Sequence, residues 1–260
     1  LEFAFSSRSH WYKGAAGRIF YDTGYVGIGT DDPANLLELS STGNPAITFD
    51  ILGEDLFTIG IATNNKRAFT IAEGGSLNNP VFVFKDDKIG VGINAPSANL
   101  HVSGNEGVLM KGTYIAPEDR TADHILLETG EGTKLLWFPP KAAFRVGTIL
   151  GNYWDNDNLG DYSVAMGYNP LASGKGSVVG GGNRNVARGS YSVVPGGNEN
   201  QANQMYSFAA GYKARADHVG SFVWSDYTPS ENSFSSNYSN QFLIKAHNGV
   251  GINTVETKGS

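Results

Sequence analysis

The chain has 260 residues, of which 34 are glycine and none is cysteine, and its formal net charge is −6. Glycine therefore occurs at nearly twice its usual share of about 7%, which excludes coiled coils and helical bundles, while 40% hydrophobic residues exclude a disordered chain. No apolar run approaches the roughly 18 residues of a membrane-spanning helix. The negative net charge does not provide the basic surface that nucleic acid requires. The lack of cysteine excludes disulfides and thiolate chemistry.

The amino-terminal region, residues 1–43, contains the first recognisable strand motif. The chain begins Leu1-Glu2-Phe3 without an initiator methionine or a leader, so we expect a fragment of a longer protein whose targeting segment is absent. The segment Val26-Gly27-Ile28-Gly29-Thr30 is followed by Pro33 and then by the leucine-rich strand 36–39. This region is predicted to be an amino-terminal shaft motif.

Residues 44–107 are predicted to form a β module. Apolar and aromatic segments at 46–51, 56–61, 68–71 and 81–84 have the composition of short strands, and the polar segment 63–66 is typical of a turn. The shaft motif returns at 89–96, followed by 100–104, and once more at 249–254. Glycine alternating with valine or isoleucine favours strands crowded against a symmetry axis or another backbone.

Residues 108–160 are predicted to be a connecting β segment. It ends in Trp154-Asp155-Asn156-Asp157-Asn158, in which acidic and amide residues alternate as in an oxygen-rich calcium loop. The bidentate glutamate of such loops is missing downstream, so we expect a solvated turn and no metal.

The clearest internal repeat lies in residues 161–226. Five aligned serines recur every 14 or 15 residues, and an alanine follows nine or ten positions after each of the first four: Ser163, Ser177, Ser192, Ser207 and Ser221, with Ala172, Ala187, Ala202 and Ala216. This period is too short for a helix pair, which needs more than about 30 residues, but fits two short strands and two turns. Such a thin coil encloses little volume, so we expect another copy of the chain to cover its bulky face. Residues 227–260 are predicted to be a carboxy-terminal β segment with the last shaft motif.

These motifs resemble those of trimeric fibre proteins. The Val26–Thr30 motif with Pro33 looks like the shaft element of trimeric phage tail fibres and related bacterial fibres, and the serine repeats resemble the head repeats of trimeric autotransporter adhesins. The stretch Leu136–Gly147, followed by Trp154 and Gly160, is similar to the segment that joins the two in mosaic fibre proteins. Those proteins often end in an endosialidase-type intramolecular chaperone; the 260 residues contain no such sequence, and whether one follows Ser260 stays open.

The resemblance covers residues from about Tyr21 to Asn253 and implies a fold. We expect an elongated, all-β homotrimeric fibre with shaft modules and a left-handed parallel β-roll, located at a cell surface, outside the cell or on a phage tail. Bulky residues at Tyr191, Pro195 and Phe208 depart from the smaller residues of the adhesin pattern. The ligands of that family therefore cannot be transferred to this chain.

The catalytic signals are weak. No two of the five histidines have metal-ligand spacing, and no Gly-x-Ser-x-Gly nucleophile elbow is present. We expect no enzyme, no cofactor, no metal, no nucleic-acid partner and no membrane insertion by this segment.

Surface recognition is the function that we expect. Aromatic rings stack on sugar faces, and amides and guanidinium groups bind hydroxyls. The candidate binding residues are Tyr168, Asn183, Arg184, Asn198, Asn200, Tyr212 and Trp224. We therefore expect a homotrimer that binds a cell-surface glycan or receptor through several weak sites at once.

Two alternatives stay open at this point. The segment could be a purely structural fibre spacer. It could also be a tailspike-like glycan depolymerase with carboxylates at the subunit seams, for which Asp161, Glu199 and Asp217 are candidates.

Overall fold

The computed structural model describes residues 11–13, 19–21, 25–28, 30, 32–51, 54–62, 67–126, 130–227 and 232–251. The chain divides into two compact units, residues 1–109 and 110–260. The described elements are β-strands and short 3-10 turns, with no α-helix among them, which confirms the all-β class. None of the described residues belongs to a helix that is long and apolar enough to cross a membrane.

The described residues of the first unit form three sheets. Strands β1 (Trp11–Lys13) and β2 (Ile19–Tyr21) pair antiparallel, and β3 (Val26–Ile28) and β4 (Leu37–Leu39) pair parallel. A six-stranded sheet has the order β10-β9-β8-β7-β6-β5. Its strands are β5 (Ala46–Ile51), β6 (Glu54–Ala62), β7 (Ala68–Glu73), β8 (Pro80–Lys85), β9 (Lys88–Val91) and β10 (Leu100–Val102). The four strands predicted between residues 46 and 84 are thus confirmed, whereas the predicted turn at 63–66 lies outside the described residues.

The two shaft motifs of this unit fold alike. In each, two parallel strands enclose a proline-containing turn, with Val26 opposite Leu37 and Ile89 opposite Leu100. A Cβ added at Gly90 would lie 2.7 Å from the carbonyl oxygen of Ile93 in the same turn. The alternating glycine is therefore required by the chain's own turn, and it is not by itself a sign of a neighbouring chain.

The third shaft motif differs from the other two. Residues 249–251 lie outside any strand. The rest of that motif, residues 252–254, and Gly29 of the first motif lie outside the described residues.

The six-stranded sheet buries its small side chains and exposes its large ones. Thr58, Thr70 and Ala72 are buried, whereas Phe49 and Phe69 are exposed. Because successive side chains of a strand point to opposite faces, the exposed residues form one apolar face, to which Ile47, Ile51, Phe57 and Phe84 also contribute exposed side chains.

Two sheets are formed by the described part of the second unit. The first has the order β11-β12-β13-β15-β17-β20-β22-β24, with β18 also paired to β20, and the second has the order β14-β16-β19-β21-β23. Strands β11 and β12 pair antiparallel, and all later pairs are parallel. The first sheet comprises β11 (Gly132–Phe138), β12 (Ala143–Ile149), β13 (Val164–Tyr168), β15 (Val178–Val179), β17 (Val193–Val194), β18 (Gly197–Asn198), β20 (Phe208–Tyr212), β22 (Phe222–Ser225) and β24 (Phe242–Lys245). The second comprises β14 (Leu171–Ala172), β16 (Val186–Ala187), β19 (Gln201–Ala202), β21 (Ala214–Ala216) and β23 (Phe234–Ser235). Short 3-10 turns lie at Pro117–Asp119, Ala122–His124, Pro139–Lys141 and Asn156–Asn158.

Each predicted repeat adds one strand to each of the two sheets, and we call such a unit a coil. The five repeat serines are buried, and the hydroxyl groups of Ser207 and Ser221 donate to carbonyls three residues earlier at 2.5 and 2.6 Å. The buried apolar cluster between the sheets consists of small or medium residues, against which Phe234 and Leu243 pack: Ala165, Ala172, Val179, Ala187, Val194, Ala202, Ala209, Ala214, Ala216 and Val223. Both sheets continue beyond Asp226 through β23 and β24, so the coils run past the end of the sequence repeat.

The backbones of neighbouring coils approach each other so closely that one corner position requires glycine. Gly197 has φ +97°, and a Cβ added there would lie 2.1 Å from the carbonyl oxygen of Gly211 in the next coil. Its neighbour Gly196 has no such φ, and a Cβ added there meets nothing within 4 Å. The two adjacent glycines therefore form a matched pair.

We expect Gly197→Ala to lower the free energy of unfolding by about 2–4 kcal/mol, because it adds backbone strain and a clash with the next coil. Gly196→Ala is expected to change it by less than about 0.5 kcal/mol. Urea unfolding followed by circular dichroism measures both. Equal effects of the two substitutions would contradict this role of Gly197.

Candidate binding surfaces

The outer side of the first sheet of the second unit forms a continuous apolar face. Ala165, Val179 and Val194 point into the interior, so the residues that alternate with them point outward. One outward row contains Phe144, Val164, Val178, Val193, Phe208, Phe222 and Phe242, and a second contains Val146, Met166, Pro195, Ala210, Trp224 and Ile244. No residue in either row is charged. We call these two rows the apolar face.

Aromatic rings stack along this face. The ring centroids of Phe208 and Phe222 are 4.5 Å apart, and those of Phe222 and Phe242 are also 4.5 Å apart. Phe242 is 69% exposed at the end of the row. The predicted binding residue Trp224 belongs to this face, since it pairs with Ala210 and Ile244.

Four of the predicted binding residues form one column at the corner between the sheets. Tyr168 pairs with Asn183, Asn183 with Asn198, and Asn198 with Tyr212, each in the next coil. Tyr168 is exposed and the other three are half-buried. The Oδ1 atoms of both asparagines are buried and accept no hydrogen bond within the described part of the chain. The structure thus brings these four residues together, with Arg184 directly after Asn183.

Asn200 is not a surface residue. It is fully buried, its Oδ1 accepts from the backbone N–H of Ala214 at 2.9 Å, and its Nδ2 donates to the carbonyls of Gly196 and Gly211 at 3.0 and 2.8 Å. Asn185 occupies the equivalent position one coil earlier, and its Oδ1 accepts from the backbone N–H of Asn200 at 2.9 Å. Every polar atom of the Asn200 side chain is therefore used inside the stack, and we do not retain it as a binding residue.

The outer side of the second sheet carries a polar groove with a volume of about 460 Å³. It is lined by Tyr153, Asn169, Arg184, Val186, Arg188, Glu199, Gln201, Lys213, Arg215 and Ser233. Four of these side chains are cationic and one is a carboxylate, in a chain whose net charge is −6. We call it the basic groove.

The ion pairs at the groove neutralise only part of this charge. Lys213 Nζ lies 4.0 Å from Glu199 and Arg215 Nε lies 3.1 Å from Asp217. Arg188 donates to the neutral amide oxygen of Asn203 at 3.2 Å. Two of the cations therefore have a carboxylate partner, and Arg188 has a neutral one.

The three carboxylates of the depolymerase hypothesis are each paired with other groups. Asp161 accepts from Arg120 at 2.7 Å and from the hydroxyl of Tyr114 at 3.3 Å. Asp217 accepts from Asn203 at 2.6 Å as well as from Arg215. A hydrogen bond with Tyr162, followed by burial and the charge of Asp161, raises the pKa of Tyr114 to about 12, so its hydroxyl stays protonated at neutral pH.

A lysine contacts the predicted oxygen-rich loop. Lys141 Nζ donates to the carbonyls of Asn156 and Leu159, the latter at 3.1 Å, and burial lowers the pKa of this lysine. Trp154 is buried, and its indole N–H donates to the carbonyl of Pro170 at 3.1 Å. Within the described residues no group of three or more acidic or histidine side chains could hold a metal ion.

Arg145 closes one end of the interior between the sheets. It occupies the inward row next to Ala165, is fully buried, and donates to the carbonyls of Ser163 and Ala172 at 2.9 Å each. Burial lowers its pKa to about 10. The guanidinium therefore stays charged at neutral pH and binds carbonyl groups at the end of the stack.

Sequence reasoning identified Arg184 but missed Arg188, Lys213 and Arg215. Their positions in the repeat could have revealed them. Arg188 follows Ala187, and Lys213 and Arg215 flank Ala214, and both alanine side chains point inward. Alternation around the buried residues of each repeat would have placed the cations on one outer side.

No protein-family model matches the chain, and no curated protein is similar to it in sequence at a significant level.

Replacing Asn200 by alanine is expected to lower the free energy of unfolding by about 2–4 kcal/mol, because several backbone groups lose buried partners. Asn198→Ala, two residues away, is expected to cost less than about 1 kcal/mol, since that side chain is half-buried and accepts no hydrogen bond. Thermal unfolding of the two variants measures the difference. If Asn198→Ala were the more damaging change, the assignment of Asn200 to the framework would fail.

Proposed function

We propose that this chain is a segment of a homotrimeric fibre, with shaft modules and a left-handed parallel β-roll, that recognises glycans on a cell surface by multivalent binding. In this proposal the segment lies outside the cell or on a phage tail. The apolar face is the observation that carries the assembly.

A face of this size needs a cover. Seven neighbouring strands, from β12 to β24, extend over about 30 Å at the usual sheet spacing of about 4.8 Å, and the two outward rows along them contain no charged residue. Monomeric soluble proteins rarely expose contiguous apolar patches of this kind. Covering the face with further copies of the same chain removes the apolar area of all copies from water at once.

The first unit supports the same conclusion independently. Its six-stranded sheet also exposes large apolar side chains, among them Phe49 at 55% and Ile51 at 63%. The resemblance of the serine repeats to trimeric adhesin heads favours three copies over two.

Recognition is supported by the polar groups outside the apolar face. The column of Tyr168, Asn183, Asn198 and Tyr212 presents rings and amides at one corner, which suits sugar faces and hydroxyls. Three copies of such a weak site raise the overall affinity without any new contact.

The assembly is tested with Val193→Glu, which places a carboxylate at the centre of the apolar face. We expect the wild-type chain to sediment as a trimer, and the variant to assemble at least about 100-fold more weakly, because burying an unpaired charge costs several kcal/mol. Analytical ultracentrifugation over a concentration series measures both.

Gln204→Glu is the matched control, since it adds the same charge in an exposed turn and is expected to leave the trimer intact. Far-UV circular dichroism shows whether the Val193 variant still folds. A wild-type chain that sediments as a stable monomer would refute the assembly.

The recognition proposal is tested on a glycan array with the labelled wild-type trimer. We expect binding to a subset of glycans, and a variant carrying both Tyr168→Ala and Tyr212→Ala to bind at least about tenfold more weakly, because it loses two stacking rings per chain. Tyr206→Ala, which removes an exposed ring at another corner, serves as the control.

Two other outcomes would replace this proposal. A folded trimer that binds no glycan and no cell surface would indicate a structural spacer. Release of new reducing ends from a bound polysaccharide would indicate a depolymerase.

A further inference from the structure

We infer that the basic groove binds an acidic glycan, whose carboxylate or sulfate groups pair with Arg184, Arg188, Lys213 and Arg215. This inference deepens the proposed function and rests on it, since it names the chemical class of the recognised surface. It adds Arg188, Lys213 and Arg215 to the recognition residues.

The basic groove is positively charged, whereas the whole chain is negatively charged. The whole chain carries 19 basic and 25 acidic residues, yet the groove lining has four basic residues and one acidic residue. Among these four, Arg184 is exposed and shows no ion pair or hydrogen bond from its side chain within the described part of the chain. Cations gathered in this way attract an anion more strongly than the rest of the surface does.

The four cations of the basic groove come from two separate coils. Arg184 and Arg188 flank β16. Two coils further along, Lys213 directly precedes β21 and Arg215 lies within it. The groove residues Asn169, Arg184, Glu199 and Lys213 come from four consecutive coils and span about 14 Å at the usual strand spacing. An extended polymer with repeated negative charges matches this spacing better than one small anion does.

The uncharged residues that line the basic groove are mostly polar or aromatic. Asn169, Gln201 and Ser233 offer amide and hydroxyl groups, and Tyr153 offers an aromatic ring. These groups suit the hydroxyls and flat faces of sugar rings. Arginine adds a planar fork that pairs with a carboxylate or a sulfate through two hydrogen bonds.

Nucleic acid fits the same groove less well. Strong binding of single strands uses several stacking rings along a basic channel, and the lining contains one aromatic residue, Tyr153. An acidic oligosaccharide is therefore the occupant that the observations favour.

The test compares two charge reversals in the intact trimer, Arg184→Glu in the groove and Lys175→Glu at an exposed position outside it. A glutamate is compatible with the backbone at residue 184, because Glu199 has φ 57° at the equivalent corner where Arg184 has φ 51°. Both substitutions change the net charge by the same amount. Any difference between them therefore reports the groove.

Binding is measured by isothermal titration calorimetry with galacturonate oligomers, heparin oligosaccharides, neutral dextran oligomers and oligothymidylate. We expect the wild type to bind at least one of the two acidic oligosaccharides and not dextran, with affinity falling as salt rises. Arg184→Glu is expected to weaken binding by at least about tenfold, and Lys175→Glu by less than about twofold. The galacturonate and heparin arms distinguish carboxylate from sulfate recognition.

Four results would overturn the inference: binding of neither acidic oligosaccharide, equal loss in both variants, no loss in the Arg184→Glu variant, or tighter binding of dextran or oligothymidylate. If the trimer binds neutral glycans on the array and neither acidic oligosaccharide, the inference fails while the proposed function stands. Binding of acidic oligosaccharides that Arg184→Glu does not weaken would place their site elsewhere on the chain.

Discussion

The narrow interior of each coil is the constraint on which the second unit depends. A coil of 14 or 15 residues brings its two sheets so close that the fully buried apolar side chains between them are all alanine or valine. Each small side chain buries little apolar area, and the stabilisation scales with that area at about 25 cal/mol per Å². Large aromatic residues such as Phe208 and Phe222 therefore lie outside, in the same row as Val193. In the proposed trimer that outer face becomes the main core, so that assembly and stability are coupled.

The same narrowness determines how polar groups are used inside. Neighbouring coils approach so closely that the backbone at Gly197 admits no side chain, and the amides of Asn185 and Asn200 bind backbone groups across the coils. Buried polar groups need such partners, because an unsatisfied group costs free energy. Arg145 serves a related purpose at one end of the interior, where its guanidinium binds the carbonyls of Ser163 and Ala172. Amides and guanidinium groups that look like ligand contacts in a sequence can therefore belong to the framework.

The constraints of the narrow interior do not apply to the outer side of the second sheet. Its outward positions carry arginine, lysine, glutamate and glutamine in successive coils, because these side chains are half-buried or exposed and need not repeat. A regular stack thus combines an invariant interior with a surface whose chemistry changes from coil to coil. The basic groove and the tyrosine and asparagine column at the corner occupy such variable positions, and they are separate from the apolar face of the first sheet.

The sequence by itself determined the all-β class, the period of the repeat and the strands between residues 46 and 84, because alternation and turn residues act locally. It also identified Tyr168, Asn183, Asn198 and Tyr212, which occupy equivalent positions in successive repeats and therefore form one column. The tertiary structure decided what depends on stacking. It placed Asn200 inside, and it added β24 after an insertion that puts Phe242 beside Phe222 and interrupts the repeat spacing. It also gathered four cations from two separate coils, since the pairing of parallel strands brings residues far apart in sequence close together.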